Sequence, residues 1–172
     1  MRTKLVATAI VMTLGLPGAA MARADRWPDA SLMTENDSAA GSLAGARWAV
    51  PTGRECVVKV DDGRYAFPPP PVEWVPGTEI AVRFESAERP RRVDARAFLF
   101  GDPTTGTPIY GETEIPNELR RVEIDGEVVW EAVLSPPPWP DLYLEVAAEW
   151  KRVARCGPRE ATWKWRAGLL PV

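Results

Sequence analysis

The sequence predicts an all-β protein, built as an antiparallel sandwich of about seven strands. Apolar and polar residues alternate in several short runs, as in residues 79–84, and a period of two is that of a strand with one buried face. Turns rich in Gly, Pro and Asp separate the runs, and no run beyond the N-terminal segment sustains a helical period. Short strands with such punctuation are typical of two packed antiparallel sheets.

Residues 1–24 have the pattern of a signal peptide. Two basic residues precede an apolar run, residues 5–16, and the sequence AMARA then offers two A-x-A cleavage sites, ending at Ala22 and Ala24. The run is shorter than the roughly 20 apolar residues that span a bilayer. The sequence therefore predicts a cleaved signal peptide, a secreted or periplasmic location, and no transmembrane segment in the mature form.

Charge and composition argue against several classes of function. Three of the 21 basic residues lie in residues 1–24, which leaves 18 basic against 24 acidic residues and a net charge of −6. So acidic a chain is a poor binder of nucleic acid through its overall field. It has no histidine, the commonest general base and the commonest zinc ligand. No nucleic-acid partner and no cofactor is expected.

The first stretch after the signal peptide is interpreted as a flexible spacer. Residues 25–46 are rich in Ala, Ser, Gly and Asp and show no sustained period. The sandwich domain is then predicted over residues 47–172.

The first half of the domain contains a hairpin signal and a clear strand. The runs CVVKV and RYAF flank Asp61-Asp62-Gly63, a three-residue loop with glycine where a left-handed conformation is needed. Prolines 68–71 form a stiff connector that cannot donate to a central ladder. After a Pro-Gly turn, EIAVRF places Ile80, Val82 and Phe84 on one face.

The middle of the domain contains a second strand and a second hairpin. RVDARAFLF is predicted as a strand with Val93, Ala95, Ala97 and Leu99 on one face. The poorly patterned stretch that follows, up to residue 121, is expected to hold at most one short strand, around Ile109 and Tyr110. RVEI and EVVWEAVL then flank Asp125-Gly126, a strong turn signal.

The last strands place large side chains on a core face. In DLYLEVAAEW, Leu142 and Leu144 share one face, so Tyr143 is predicted on the outer face with the carboxylates. In ATWKW, Trp163 and Trp165 are predicted to face the core. AAEWKRVARC also fits a helical spacing, but the alternation before it and the Cys-Gly-Pro sequence within and after it favour a strand that runs into a loop.

The order of these elements resembles a known class of domain. A Pro-Gly turn, the pattern Ile-x-Val-x-Phe, a tryptophan-bearing hairpin, a proline-rich turn, LYLEVAAEW and ATWKW follow one another over residues 48–170. This order is similar to that of the immunoglobulin-like (Ig-like) sandwich domains of uncharacterised bacterial secreted proteins. The resemblance implies an Ig-like fold and a role in binding or spacing other molecules.

Cysteines and exposed side chains supply the candidate site residues. Cys56 and Cys156 are the only cysteines, and in an exported chain such a pair predicts a disulfide. The candidate surface contacts are Trp139, held between prolines, Tyr143, and the loop residues Arg91 and Arg92. The arginines belong to a mixed-charge loop that is either simply solvated or a docking patch for an acidic partner.

No catalytic, cofactor-binding or metal-binding residue is assigned. Asp61, Asp62 and Asp102 lie beside turn glycines and match no calcium-loop pattern. The leading hypothesis is an exported, non-catalytic domain that binds a protein or an envelope component. A carboxylate-based secreted hydrolase is the alternative, since acidic residues are abundant. A more remote one is a protease inhibitor, because residues 102–106 resemble a loop motif of the chagasin family. The sequence does not indicate an oligomeric state.

Overall fold

The computed structural model of the chain describes residues 26–62, 71–100 and 108–168. The predicted signal peptide, the predicted strand RYAF and the chagasin-like motif at residues 102–106 lie outside these ranges. Within them the chain forms twelve strands: β1 (Ala30–Met33), β2 (Ser38–Ala40), β3 (Ser42–Thr52), β4 (Glu55–Asp61), β5 (Pro71–Glu73), β6 (Ile80–Phe84), β7 (Arg92–Phe100), β8 (Pro108–Ile115), β9 (Asn117–Ile124), β10 (Glu127–Leu134), β11 (Asp141–Glu149) and β12 (Arg159–Gly168).

These strands form two sheets. The first has the order β2-β1-β6-β10-β9, and the second has the order β4-β3-β12-β11-β7-β8, with β5 paired to β12. All the described pairings are antiparallel except that of β5 with β12. Among the described residues no helix has the length and apolar character that crossing a membrane requires. The prediction of an all-β, antiparallel architecture is confirmed, although the expected number of about seven strands is too low.

The two sheets bury a shared core of aromatic residues. Phe84 of the first sheet packs edge-on against Trp150, which directly follows β11, with ring centroids 5.8 Å apart, and also lies 5.7 Å from Trp163 of β12. Trp48 of β3 completes the cluster, 5.3 Å from Trp150. Burial of an indole removes on the order of 200 Å² from water, so this cluster supplies a large part of the force that holds the layers together.

Alternation predicts the buried faces correctly where strands are central. Ile80, Val82 and Phe84 of β6 are all buried, as are Trp163 and Trp165 of β12. At the β9–β10 hairpin, Asp125 and Gly126 both have positive φ. Two such residues match the type I′ turn that the sequence DG favours.

The prediction of a flexible spacer over residues 25–46 is wrong. β1 and β2 lie there, and β3 begins there; Leu32 pairs with Val82 in the first sheet and is fully buried. The small residues have a packing role, since the indole Nε1 of Trp165 donates to the carbonyl of Ala39 at 3.1 Å. A Cβ on Gly41 would stand 2.5 Å from the Trp165 ring. Small residues are required at this point because two tryptophans of β12 pack against the backbone there.

The prediction of at most one short strand between residues 101 and 121 is also wrong. β8 and most of β9 occupy this stretch, with only Pro116 between them. β8 ends in the second sheet at Ile115, opposite Ala95, and β9 begins in the first sheet at Asn117, opposite Leu134. Both are edge strands, and the described side chains of each are mostly exposed. They therefore lack the alternation by which a half-buried strand is recognised.

Candidate interaction surface

The predicted disulfide between Cys56 and Cys156 is confirmed, and it anchors an edge of the second sheet. Cys56 lies in β4 and Cys156 in the connection between β11 and β12, with their Cα atoms 5.2 Å apart. That connection is a tight loop in which the amides of Cys156 and Gly157 both donate to the carbonyl of Val153. The disulfide therefore fixes β4 to a compact loop at one end of the molecule.

β4 pairs with β3 through a two-residue turn, not through the loop that the sequence suggested. Thr52 lies opposite Glu55, and Gly53 between them has φ of 65°. Glycine with positive φ at the first central position is typical of a type II′ hairpin turn. RYAF, the strand expected to pair with CVVKV, lies outside the described residues.

β4 exposes apolar side chains on both of its faces. Val57 is 46% exposed on the face it shares with Glu55 and Lys59, while Val58 and Val60 are 40% and 61% exposed on the other. At least one face of a strand that carries large apolar side chains is normally buried. β4 thus extends beyond the shared core as a ribbon with β3.

The backbone of β4 also offers hydrogen-bonding groups at the edge that pairs with no described strand. A two-residue turn makes Thr52 and Glu55 a hydrogen-bonded pair, and bonded and non-bonded pairs alternate from there. The backbone N–H and C=O groups of Val57 and Lys59 therefore point to β3. The backbone groups of Cys56, Val58 and Val60 point away from it. The amide of Ala49, opposite Val58, fits this pattern because it turns away from β4 and donates to the carbonyl of Pro158 at 3.3 Å.

The other sheet edges in the described part of the chain are short or charged, whereas β4 combines the charges of Glu55, Lys59 and Asp61 with three exposed valines. β2 and β5 have three residues each, and short edge strands offer little to pair with. β9 carries Glu118, Arg120, Arg121 and Glu123, and β8 carries Glu112 and Glu114. Charged side chains discourage edge-to-edge pairing. β4 is therefore the apolar edge of the described sandwich.

The candidate contact residues predicted from sequence do not form one site. Arg92 begins β7 opposite Glu149, the last residue of β11, whereas Trp139 lies just before β11 begins. Eight strand steps of about 3.3 Å place these ends roughly 26 Å apart. Trp139 is half-buried and packs against the core. Arg91 and Arg92 are exposed, and Arg92 pairs with Asp94 at 2.8 Å.

Tyr143 is on the outer face, but it is not an accessible contact residue. It lies opposite Phe98 on one side and Arg166 on the other, away from the face that buries Leu142 and Leu144. Its exposure is nevertheless only 3%. The Phe98 ring lies 6.3 Å away, and the ammonium of Lys164 stands 5.8 Å from the Tyr143 ring centroid. Tyr143 should therefore be removed from the candidate surface.

The basic loop before β7 is tied to the core through Glu88. The Glu88 carboxylate pairs with Arg159 at 2.6 Å, and its carbonyl accepts from Trp150 Nε1 at 3.1 Å. Arg159 lies over the ring of Trp48, 4.1 Å from its centroid. Arg89 lies over the ring of Trp130 at 5.2 Å. These contacts give the neighbourhood of Arg91 and Arg92 a structural role, apart from any docking role.

Glu131 is the only buried charged residue in the described ranges, and two arginines neutralise it. One carboxylate oxygen accepts from Arg83 Nε and Nη2, and the other from Arg120 Nε and Nη2, at 2.6–2.9 Å. Burial by itself raises the pKa of Glu131, but the hydrogen bonds and charges of Arg83 and Arg120 outweigh it and lower the pKa. A general acid at neutral pH requires the opposite shift.

In the described ranges no group of three or more Cys, Asp or Glu side chains is arranged to hold a metal ion. Asp102 lies outside these ranges.

The exposed valines of β4 were missed at the level of sequence. CVVKV is a good strand pattern, but apolar neighbours at Val57 and Val58 usually indicate burial on both faces. Position at an uncovered edge is a property of strand order, which the pattern does not contain.

Comparisons of the chain with protein-family models, with curated proteins and with solved structures find no match.

Proposed function

We propose that this chain is an exported, non-catalytic sandwich domain that acts by binding, and that its binding surface is the edge strand β4. The observation that carries the proposal is the exposure of Val57, Val58 and Val60 on a strand whose outward backbone groups meet no described strand. Addition of an extended segment to such an edge uses main-chain hydrogen bonds for affinity and side-chain contacts for specificity.

The disulfide preorganises β4 for binding. An isolated two-stranded ribbon is marginally stable in water, and β4 contributes little to the core. The Cys56–Cys156 bond holds the ribbon in place, so less conformational entropy is lost when a partner binds.

The strand order supports an Ig-like type for the sandwich. In chain order β1, β6, β7, β9, β10, β11 and β12 take the places of strands A, B, C, D, E, F and G. The spatial orders β1-β6-β10-β9 and β12-β11-β7 then correspond to the A-B-E-D and G-F-C sheets. On this assignment β2, β3 and β4 are an insertion between strand A and the rest, and the insertion carries the proposed surface.

Export is supported by the N-terminal pattern and by the disulfide. Residues 1–24 carry the charged, apolar and A-x-A regions of a signal peptide. Disulfides form and persist mainly in oxidising compartments. The proposed location is therefore secreted or periplasmic, where the partner is a protein or a component of the envelope.

The test is a quantitative pull-down from an envelope extract with the purified protein, expressed as the full chain. Val58→Lys places a charge on the β4 edge, and Val75→Lys is the matched control because Val75 is 43% exposed, close to the 40% of Val58. We expect Val58→Lys to lose partners that the wild type and Val75→Lys retain. Equal recovery by all three proteins would remove β4 as the binding surface.

A further inference from the structure

We propose that the partner of β4 is a second copy of this chain, paired antiparallel through β4 with Val57 at the two-fold axis. This inference rests on the proposed function of the same edge and names its occupant. Four features support it. They are the alternation of the backbone groups that point outward, the order of charges along β4, the neutral local charge, and the closed symmetry of the resulting dimer.

Backbone parity restricts the pairing. A two-fold axis perpendicular to the sheet places opposite each other residues whose side chains point to the same face of the sheet. The sequence numbers of two opposite residues must therefore differ by an even number. With Val57 on the axis, Cys56 of each copy lies opposite Val58 of the other. Both have outward backbone groups, so they form hydrogen-bonded pairs, and Val57 meets its own copy in a non-bonded pair, where side chains come closest.

Charge and the length of β4 together select this register. With Val57 on the axis, Glu55 of each copy stands opposite Lys59 of the other, and each contact is repeated by symmetry. A shift that centres Val58 places Glu55 opposite Asp61. A shift that centres Lys59 places that residue opposite its own copy. A shift that centres Val60 would also bring opposite charges together, with Lys59 opposite Asp61, but it would pair only residues 59–61 of β4. Opposite charges across a strand pair stabilise it, and like charges directly opposite destabilise it.

The local charge permits two acidic molecules to meet here. In β4 and its turn, Arg54 and Lys59 balance Glu55 and Asp61. The strand therefore presents a neutral surface, although the whole chain carries a net charge of −3. Val57, Val58 and Val60 of both copies would be partly covered by the contact, which removes apolar surface from water.

The dimer formed through β4 is a closed assembly. A two-fold contact uses the same surface on both molecules, so each dimer occupies both β4 edges and leaves none for a further copy. The remaining described edges, β2, β5, β8 and β9, are short or charged. The second sheet would run continuously through both molecules and would end at the charged strand β8 of each copy.

The test uses charge reversal with complementation. Glu55→Lys places a lysine opposite Lys59 of the other copy, and Lys59→Glu places a glutamate opposite Glu55 of the other copy, so each variant alone repels its own copy twice. An equimolar mixture of the two variants restores opposite charges at both positions. Sedimentation velocity of the full chain, from micromolar to several hundred micromolar, measures the dimer. Circular dichroism and thermal unfolding of each variant verify that it is folded.

We expect the wild type to dimerise reversibly and each variant to dissociate roughly tenfold or more easily. The mixture should form a heterodimer close to the wild type in affinity. Val58→Pro should also abolish the dimer while the fold is retained, because the Val58 amide points away from β3.

A wild type that stays monomeric, variants that still dimerise, or a mixture that does not associate would each overturn the proposal. A monomeric wild type whose Val58→Lys variant loses envelope partners overturns self-pairing alone and leaves the proposed function standing. A monomeric wild type with unchanged envelope binding in Val58→Lys overturns both.

Discussion

The disulfide between Cys56 and Cys156 joins the edge strand β4 to the loop that follows β11, 100 residues later in the chain. One partner lies in a strand that contributes almost nothing to the core. The other lies in a loop fixed by Val153 and by the adjacent Trp150, which is fully buried. The covalent bond thus connects an exposed edge strand to a hydrogen-bonded loop beside a buried tryptophan.

Removal of this disulfide should lower stability substantially. For a loop of this length the chain-entropy model gives a loss of about 4 kcal/mol in the free energy of unfolding. The measurement is urea denaturation of Cys56→Ser/Cys156→Ser beside the oxidised and the reduced wild type. The reduced wild type should match the double variant, and the double variant should not respond to reductant. Hydrogen exchange should increase most in β4.

Glu131→Gln should destabilise the first sheet. The substitution keeps the shape of the side chain, but it removes the charge that Arg83 and Arg120 share. We expect a loss of about 2 kcal/mol in the free energy of unfolding. Asp94→Asn is the matched control, because Asp94 pairs with Arg92, the two side chains are 46% and 70% exposed, and exposed ion pairs contribute about 1 kcal/mol or less. An equal effect of both variants would contradict this account.

The contribution of Glu131 should depend on pH in one direction. Its pKa is lowered in the folded protein from an ordinary value of 4.5, so the folded state holds the proton less tightly than the unfolded state. The stabilisation is therefore complete above that ordinary value and is lost as the pH falls through the folded pKa. Wild type and Glu131→Gln should converge in stability on acidification. A difference that stays constant from neutral pH to the acid limit would exclude this role.

Gly41→Ala should be costly and Gly45→Ala should not. A Cβ at Gly41 would stand 2.5 Å from Trp165 and 3.0 Å from Trp163, both core residues, whereas at Gly45 the nearest atom is a backbone oxygen at 3.6 Å. Overpacking of a core typically costs 1–3 kcal/mol, so we expect about 2 kcal/mol for Gly41→Ala. Thermal unfolding of both variants measures the difference. Equal melting temperatures would contradict the packing of residues 39–41 under β12.

The tryptophans should act as structural residues. Trp48, Trp74, Trp150, Trp163 and Trp165 are each at most 2% exposed, so iodide should quench only a minor part of the indole fluorescence. Trp150→Ala removes the centre of the aromatic cluster and the hydrogen bond to Glu88, and should cost about 4 kcal/mol. Trp139→Ala, at a half-buried position, should cost less. Strong quenching of the native protein by iodide would contradict the burial of these rings.

Local sequence was sufficient for the central strands but not for the edges. Ile80, Val82 and Phe84 alternate because a half-buried strand needs one apolar face, and they pack as predicted. Val57 and Val58 satisfy the same strand preference, yet no pattern in CVVKV states whether another layer covers them. Tyr143 shows the opposite case. Alternation correctly predicts that it lies on the outer face, but neighbouring side chains bury it there.

By itself the sequence determined the all-β class, the inward faces of β6, β11 and β12, the turn at Asp125-Gly126 and the pairing of its two cysteines. These follow from local stereochemistry and from the presence of a single pair of thiols. Only the tertiary structure decided that residues 30–46 belong to the sandwich, that Glu131 meets two arginines, and that β4 ends the second sheet with its valines exposed. The order of the strands and the burial of their faces depend on contacts between residues far apart in the chain. Such contacts produce no periodic pattern in the local sequence.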